Sequence, residues 1–412
     1  MRGFDAITFR LELGEGAEGY VVLDSTFQNA SSGGLRIGED ITLAEVAALA
    51  REMTLKYAFI GRDSGGAKSG IRLAQGTSPE QRARVLAELG RRMGPLLRRG
   101  IYSPGTDINC SREDLAILYA AAGMRRSPET DTSLFTAVGA AAAIAACRDS
   151  IDRADRPLRV AIEGFGNVGS WLASLLPPSE YAIVGISTVQ GAVVRERGFD
   201  AEELARGRKE WGAALVERLD GVRGGTETLF SADVDVFVPG ARTWTLTPEL
   251  ARVLRARFVV PVANVPYAEG AVDVLEARGV ACLPGFVSNS GGVFGSSLFD
   301  SGVPLAEVER ICREDFRRVV AALLEARARN GVSPMVLARE VALERLERRH
   351  DRATRIQPMY RRAAVILVKE HTPRRLYASL RARRFRRNLD ELAQLILERG
   401  RRVPAILGNT GT

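Results

Sequence analysis

With 412 residues, 46% hydrophobic and 26% charged, the chain has globular composition and the length for roughly two or three domains. No apolar segment of signal-peptide length opens it and none reaches the ~18 residues of a membrane span, so a soluble protein is expected. The four cysteines, Cys110, Cys147, Cys282 and Cys312, show no disulfide or zinc spacing, which points to a reducing cytoplasm and no metal, and the net charge of +8 is concentrated in the C-terminal segment.

The first third alternates β-like runs with helices. "AITFRLEL", "GYVVLDS" and "GGLRIG" have strand character with glycine punctuation. Thr42 with Glu45 forms a capping-box pattern, and Val46, Leu49, Ala50 and Met53 recur at helical spacing, which puts Lys56 near a helix end. Further starts stand at Ser78, with Pro79 in first position and a run to about Arg99, and at Ser111. Lys68 sits among glycines in "RDSGGAKSG", but Ala67 separates Gly66 from Lys68, so the Gly-Lys-Ser/Thr of a phosphate loop is missing. Asp107, in "SPGTDIN", reads as a Pro-Gly turn residue.

An Ala-rich helix, "TSLFTAVGAAAAIAACRDS", leads into the strand "LRVAIEGFG" and a helix from about Asn167 to Leu176. "YAIVGIST", "VDVFVPG", "FVVPVAN" and "VACLPG" read as later strands separated by helices, a pattern that predicts a parallel, doubly wound sheet. Gly164-Phe165-Gly166-Asn167-Val168-Gly169 is G-x-G-x-x-G between strand and helix, the setting in which such glycines carry a dinucleotide pyrophosphate. The next strand ends Ser187-Thr188-Val189-Gln190 with no carboxylate for an adenosine ribose, and the Thr188 hydroxyl is available to a 2′-phosphate, so NAD and NADP both stand as cofactors.

The last part reads as helical, in "PLAEVERICREDFRRVVAALLEARARNG" and "SPMVLAREVALERLERRH", followed by a basic extension. From Val341 on, 18 Lys and Arg face 7 Asp and Glu, or +11, and the remainder is at about −3. Such a tail suits nucleic acid or an anionic surface, but the apolar stripes of "YRRAAVILVKEH" and "LDELAQLILERGRRV" favour packing against the substrate domain or another subunit. The two histidines, His350 and His371, lie near the C-terminus, so proton transfer in the body of the chain falls to other groups. A lysine serving as base near neutrality must lose roughly 3–4 kcal/mol of proton affinity to burial and a cationic neighbour. Lys68, with Lys56 as that neighbour and Asp107 as proton shuttle, is the candidate set.

"GGLRIGEDITLAEVAALAREMTLKYAFIGRDSGGAKSGI", "SPGTD", "TSLFTAVG", "VAIEGFGNVG" and "LPGFVSNSGGVFGSS" together resemble the glutamate/leucine/phenylalanine/valine dehydrogenase family, over about residues 10–350. The resemblance implies oxidative deamination of an L-amino acid to a 2-oxo acid and ammonia, or the reverse. Its fold would be an N-terminal α/β substrate and oligomerisation domain (1–133, completed by helices from about 300–350), a Rossmann-like domain (134–299) and a helical basic extension (351–412). By resemblance Lys56 grips the α-carboxylate, Lys68 activates water and stabilises the developing oxygen, and Asp107 moves amino-group protons. By the same resemblance Thr136 and Asn264 fall at the nicotinamide end, Asn289 is a further cofactor-binding residue, Gly33 and Gly34 fall at the substrate, and side-chain choice rests on Ser32, Gly105, Val293 and Ser296.

Glutamate enzymes of the family carry a lysine where Ser32 stands, so a non-acidic amino acid is expected, within specialised metabolism. Departures are the missing glycine-proline in "DSTFQNASSGG", "VPVANVPYAE" in place of a more glycine-rich form, and the residues after about 350. The alternative is a catalytically silent dinucleotide-binding paralogue whose basic tail holds a partner or nucleic acid. A homo-oligomer is expected.

Overall fold

The computed structural model describes residues 6–27, 30–125, 130–151, 156–354 and 372–402. Two compact units divide the chain: Met1–Thr130 with Ala342–Leu367, and Asp131–Val341 with Val368–Thr412. No helix among the described residues is long and apolar enough to cross a membrane.

The first unit is a five-stranded mixed sheet in the order β1-β2-β4-β3-β5, from β1 (Ile7–Glu12), β2 (Glu18–Leu23), β3 (Ser31–Gly38), β4 (Gly65–Arg72) and β5 (Tyr102–Thr106). On one face, Val21, Leu35, Ile37 and Ile71 pack with Leu86, Leu89 and Met93 of α2 (Pro79–Arg98) and Leu115 and Leu118 of α3 (Arg112–Ala121). On the other, Tyr20 and Val22 pack with Val46 and Ala50 of α1 (Leu43–Ile60). "GGAKSGIR" forms the strand β4, paired with β2 and β3; its glycines let other backbone come close, since a Cβ on Gly66 would stand 2.1 Å from the Thr54 nitrogen. One reading needs correction. "YSPGT" is an edge strand rather than a turn, and Pro104 is tolerated because β5 pairs on one side, with β3.

Caps follow the sequence at Ser78 and Ser111, where both reciprocal bonds are present. At Thr42 half of the box forms: the Glu45 N–H donates to the Thr42 hydroxyl, while the Glu45 carboxylate is taken by Arg36.

In the second unit α4 (Ser133–Asp149) precedes a seven-stranded sheet ordered β12-β11-β10-β6-β7-β8-β9. The strands β6 (Leu158–Glu163), β7 (Tyr181–Thr188), β10 (Val236–Pro239), β11 (Phe258–Val259) and β12 (Ala281–Cys282) are parallel, and β6 sits where strand order reverses, the position at which such sheets bind ligands. The sheet is not parallel throughout: β7 turns at Thr188–Gly191 into antiparallel β8 (Gly191–Phe199), which pairs with β9 (Val222–Gly224). The fingerprint helix α5 (Asn167–Leu175) and α6 (Ala201–Trp211) follow β6 and β8, and α7 (Pro248–Val253) and α8 (Ala271–Ala277) precede β11 and β12.

The C-terminal helices are α9 (Gly291–Asp300), α10 (Leu305–Ile311), a π-turn (Cys312–Phe316), α11 (Arg317–Asn330), α12 (Pro334–Thr354) and α13 (Arg374–Arg402). Residues 300–341 belong with the second unit; the return to the first begins at Ala342 rather than near 300. There Arg345 and Arg349 donate to the Ala58 and Tyr57 carbonyls at the C-terminal end of α1, which also accept from the Gly61 and Arg62 N–H groups of the cap. The stripe of "LDELAQLILERGRRV" covers the second unit, not the substrate domain: Leu389, Leu392 and Ile396 are buried, and α13 lies along α11. "YRRAAVILVKEH" lies outside the described residues.

Candidate active site

β4 carries Lys68, β3 carries Arg36, the end of β5 delivers Asp107 and α1 supplies Lys56 and Glu45. Lys68 Nζ stands 2.7 Å from Asp107 Oδ2, and the same oxygen accepts from Arg36 Nε at 3.0 Å. Arg36 NH1 donates to Glu45 Oε1 at 2.6 Å. Lys68, Lys56 and Arg36 are 2%, 4% and 4% exposed. Strand register makes this cluster: Gly34 faces Gly105 on β5, and a Cβ there would lie 2.7 Å from Asp107 Cβ and 3.3 Å from Lys68 Nζ. A Cβ on Gly33 would strike the Ala67 carbonyl oxygen at 1.6 Å. The paired glycines are therefore what lets the ammonium and the carboxylate meet.

Burial, the largest influence on all three titrating groups, penalises each charge. Lys68 is lowered by burial and by the Arg36 charge, against the opposing pull of Asp107. Lys56 falls to about 8, through burial and the Lys68 charge, against Glu52 and Asp107. Burial acts upward on Asp107, but Lys68 and Arg36 outweigh it and hold the carboxyl at about 2. The sequence reading missed Arg36, a second cation that acts on Lys68 beside the mutual repulsion of Lys56 and Lys68. The signal was an arginine in a strand between buried apolar residues, Leu35 and Ile37.

Ser32 is paired within the unit, its hydroxyl 2.8 Å from Tyr57 Oη and 3.2 Å from Ser64 Oγ. Gly105 faces Gly34 across the β3–β5 pair.

The second unit holds the fingerprint. Gly164 has φ +79°, and a Cβ there would lie 2.7 Å from the Ala241 nitrogen. A Cβ on Gly169 would be 2.9 Å from the Gly164 carbonyl oxygen, while one on Gly166 would meet nothing within 4 Å. Turn, close packing and an open approach thus fall on the first, third and second glycines in turn. Phe165 is buried and donates its N–H to the Ser187 carbonyl, and Asn167 and Val168 open α5, whose N-cap Gly166 supplies no capping side chain. The first-turn N–H groups suit an anion. The Thr188 hydroxyl donates to the Ala213 carbonyl, in the turn after α6, and accepts from the Gln190 N–H in the β7–β8 turn, so its proton is directed inside the unit rather than toward a 2′-phosphate.

Asn289 and Asn264 come together, Asn289 Nδ2 donating to Asn264 Oδ1 at 3.0 Å. The buried Asn289 Oδ1 and Ser290 Oγ have no partner among the described residues, as expected where a polar ligand group completes the set. Thr136 donates to the Thr132 carbonyl, and its oxygen would lie 2.3 Å from a Cβ on Gly292. Val293 and Ser296 are three apart on α9, and Ser296 donates to the Gly292 carbonyl at 2.7 Å. The fingerprint glycines and the Asn264–Asn289 pair fit a bound dinucleotide.

Residues 130–352 match the family model described as Glutamate/Leucine/Phenylalanine/Valine dehydrogenase, and residues 6–124 that described as Glu/Leu/Phe/Val dehydrogenase, dimerisation domain. The chain is 31% identical over 296 residues to a glutamate dehydrogenase of Thermotoga maritima, covering 67% of this chain and 70% of that protein. Glutamate dehydrogenases named as NADP-dependent and as NAD-specific also match. In fold it is similar to a hetero-hexameric glutamate dehydrogenase from Thermus thermophilus in a leucine-bound form, with TM-score 0.70, 24% identity and coverage of 84% of this chain and 88% of that one. It is likewise similar to an L-tryptophan dehydrogenase from Nostoc punctiforme, with TM-score 0.59, 21% identity and coverage of 84% and 97%.

Proposed function

The chain belongs to the glutamate/leucine/phenylalanine/valine dehydrogenase family and is an NAD(P)-dependent amino acid dehydrogenase, and we propose that its own substrate is an L-amino acid with an uncharged side chain. The observation that carries this is Ser32. Where the family resemblance puts a lysine for glutamate's distal carboxylate, this chain has a neutral hydroxyl tied to Tyr57 and Ser64. The curated relatives named above are glutamate dehydrogenases, so on relatedness alone glutamate is the competing substrate.

In this reading the Lys56 ammonium pairs with the substrate α-carboxylate. Its descent to about 8 leaves it charged at neutral pH, and an arriving carboxylate strengthens that charge. Bound NAD(P) supplies the hydride acceptor, and the residues of G-x-G-x-x-G with Thr136, Asn264 and Asn289 are those that would hold it. Asp107, ionised at neutral pH, takes and returns protons of the amino group beside Lys68. Lys68, its proton affinity reduced, removes a proton from the water that adds to the imine carbon. Amino acid, oxidised dinucleotide and water thereby give 2-oxo acid, ammonium, reduced dinucleotide and a proton. The match to a dimerisation-domain model supports a homo-oligomer built through the first unit.

The test is a panel of L-amino acids assayed with both dinucleotides by absorbance of the reduced nicotinamide. Turnover is expected with neutral side chains, and glutamate is expected to lag by tenfold or more, about the 1–3 kcal/mol of one lost contact. Glutamate as the best substrate would overturn the reading.

A further inference from the structure

The basic extension stands beyond residue 352, where the family match ends. Its helix α13 nonetheless buries a continuous stripe, Ala378, Ala382, Leu389, Leu392, Ile396 and Gly400, on the second unit. Some of its charges are engaged along the way. Arg386 lies 3.0 Å from the buried Asp315, 3.1 Å from Glu314 and 3.7 Å from Glu307, and Asp390 lies 3.0 Å from Arg318. Asp315 belongs to the π-turn between α10 and α11, a local rewinding that aims it toward Arg386.

Beside these pairs α13 meets α9. The Phe385 and Phe294 rings are 5.0 Å apart, and Phe294 in turn meets Phe316 of the π-turn at 5.3 Å. Arg381 NH2 donates to Ser297 Oγ at 3.2 Å. On a helix, Phe294 and Ser297 form one i,i+3 row, and Val293 and Ser296 form the row immediately beside it. A rotation or slide of α9 that α13 allows or forbids therefore moves Val293 and Ser296 together.

We propose that α13 is a brace for α9, with Phe385 and Arg381 as positioning residues that set where Val293 and Ser296 stand and hence which amino acid is preferred. The inference rests on the reading above that Val293 and Ser296 take part in side-chain choice. It gives the basic segment a role inside its own subunit, in place of a nucleic-acid or membrane surface.

The experiment compares the full chain with Phe385→Ala, Phe385→Leu and Val293→Ala. The readouts are kcat and KM for the best amino acid and for one a methylene shorter, with reduced-dinucleotide affinity measured by fluorescence. Phe385→Ala is expected to change the ratio of kcat/KM between the two amino acids by about fivefold or more, with dinucleotide affinity unchanged and Phe385→Leu returning the ratio toward the original. If Val293→Ala moves the ratio and Phe385→Ala leaves it as it was, the brace is refuted while the pocket assignment stands. If neither moves it, the pocket assignment fails and the brace falls with it. Should Phe385→Ala not fold, Arg381→Met, which drops the bond to Ser297, takes its place under the same criteria.

Discussion

Replacing Arg36 with Met separates what this residue does for folding from what it does for chemistry. The guanidinium lies between Asp107 Oδ2 at 3.0 Å and Glu45 Oε1 at 2.6 Å, and is 4% exposed. Removing it leaves the Glu45 carboxylate buried without that cation, and breaking such a pair costs ~3–5 kcal/mol. Asp107 keeps Lys68 at 2.7 Å but loses one of the two charges that hold it at about 2. Arg36→Met with Glu45→Gln removes the stranded charge, so stability should return to within ~1–2 kcal/mol of the starting protein, read from urea unfolding at pH 7. The effect on the reacting groups remains in the double variant. Without Arg36 both the Asp107 carboxyl and the Lys68 ammonium rise, so the acid limb of the kcat/KM profile, which needs both deprotonated, should move to higher pH in single and double variants alike. An acid limb identical to the parent's in a well-folded double variant would refute the action of Arg36 on this pair.

Other consequences follow from particular atoms. Gly34→Ala would place a methyl 2.7 Å from Asp107 Cβ, and a displacement near 1 Å at the reacting groups is expected to lower kcat/KM by ~100-fold with dinucleotide affinity intact; near-parental turnover would contradict the pairing of Gly34 with Gly105. Val265 has φ +50° ahead of a proline, a region that disfavours β-branched residues, so Val265→Gly should add about 1 kcal/mol and raise the unfolding midpoint by ~2–4 °C; a lower midpoint would show the backbone there to be unstrained. Glu163 is raised to about 7 by burial, against bonds from Thr245 and the backbone of Ala241 and Gly240. Its folded form thus holds a proton that the unfolded chain releases near 4.5, so its penalty is absent below pH 4.5, grows to pH 7 and is complete above it. Glu163→Gln should therefore add ~1–3 kcal/mol at pH 8 and nothing at pH 4, and an equal gain at both would exclude the carboxyl as the source.

The sequence was most legible where local rules agree. Capping residues set the starts of α1, α2 and α3, and apolar strands closed by glycine marked β6 and the fingerprint. It was least legible where tertiary contact overrides composition. "GGAKSGIR" carries little strand propensity; two of its glycines are explained by the backbone at Ser25 and at Thr54 of α1, which a Cβ on Gly65 or Gly66 would meet at 2.0 and 2.1 Å. β8, in "GAVVRERGF", alternates too weakly to declare itself, and pairing with β7 decides it. In the site, Lys56, Lys68 and Asp107 are recognisable through ordered motifs, but their electrostatics depend on Arg36, which looked like one polar residue in a strand. The "VPVANVPYAE" departure takes on physical meaning as a strained valine beside Asn264. In the basic tail the apolar stripe, not the net charge, was the legible feature, and Leu389, Leu392 and Ile396 are buried.

Lys68, held dry between Asp107 and the field of Arg36, performs the proton transfer of amino acid oxidation in this reading, and everything else about the site is arranged around it. The most direct measurement is the rate of reduced-nicotinamide formation by the parent and Lys68→Ala on the best amino acid, with dinucleotide saturation verified by fluorescence titration. Such a role requires a fall of ~100-fold or more in kcat, the contribution of a positioned general base, with dinucleotide affinity preserved. Undiminished kcat in Lys68→Ala would contradict it.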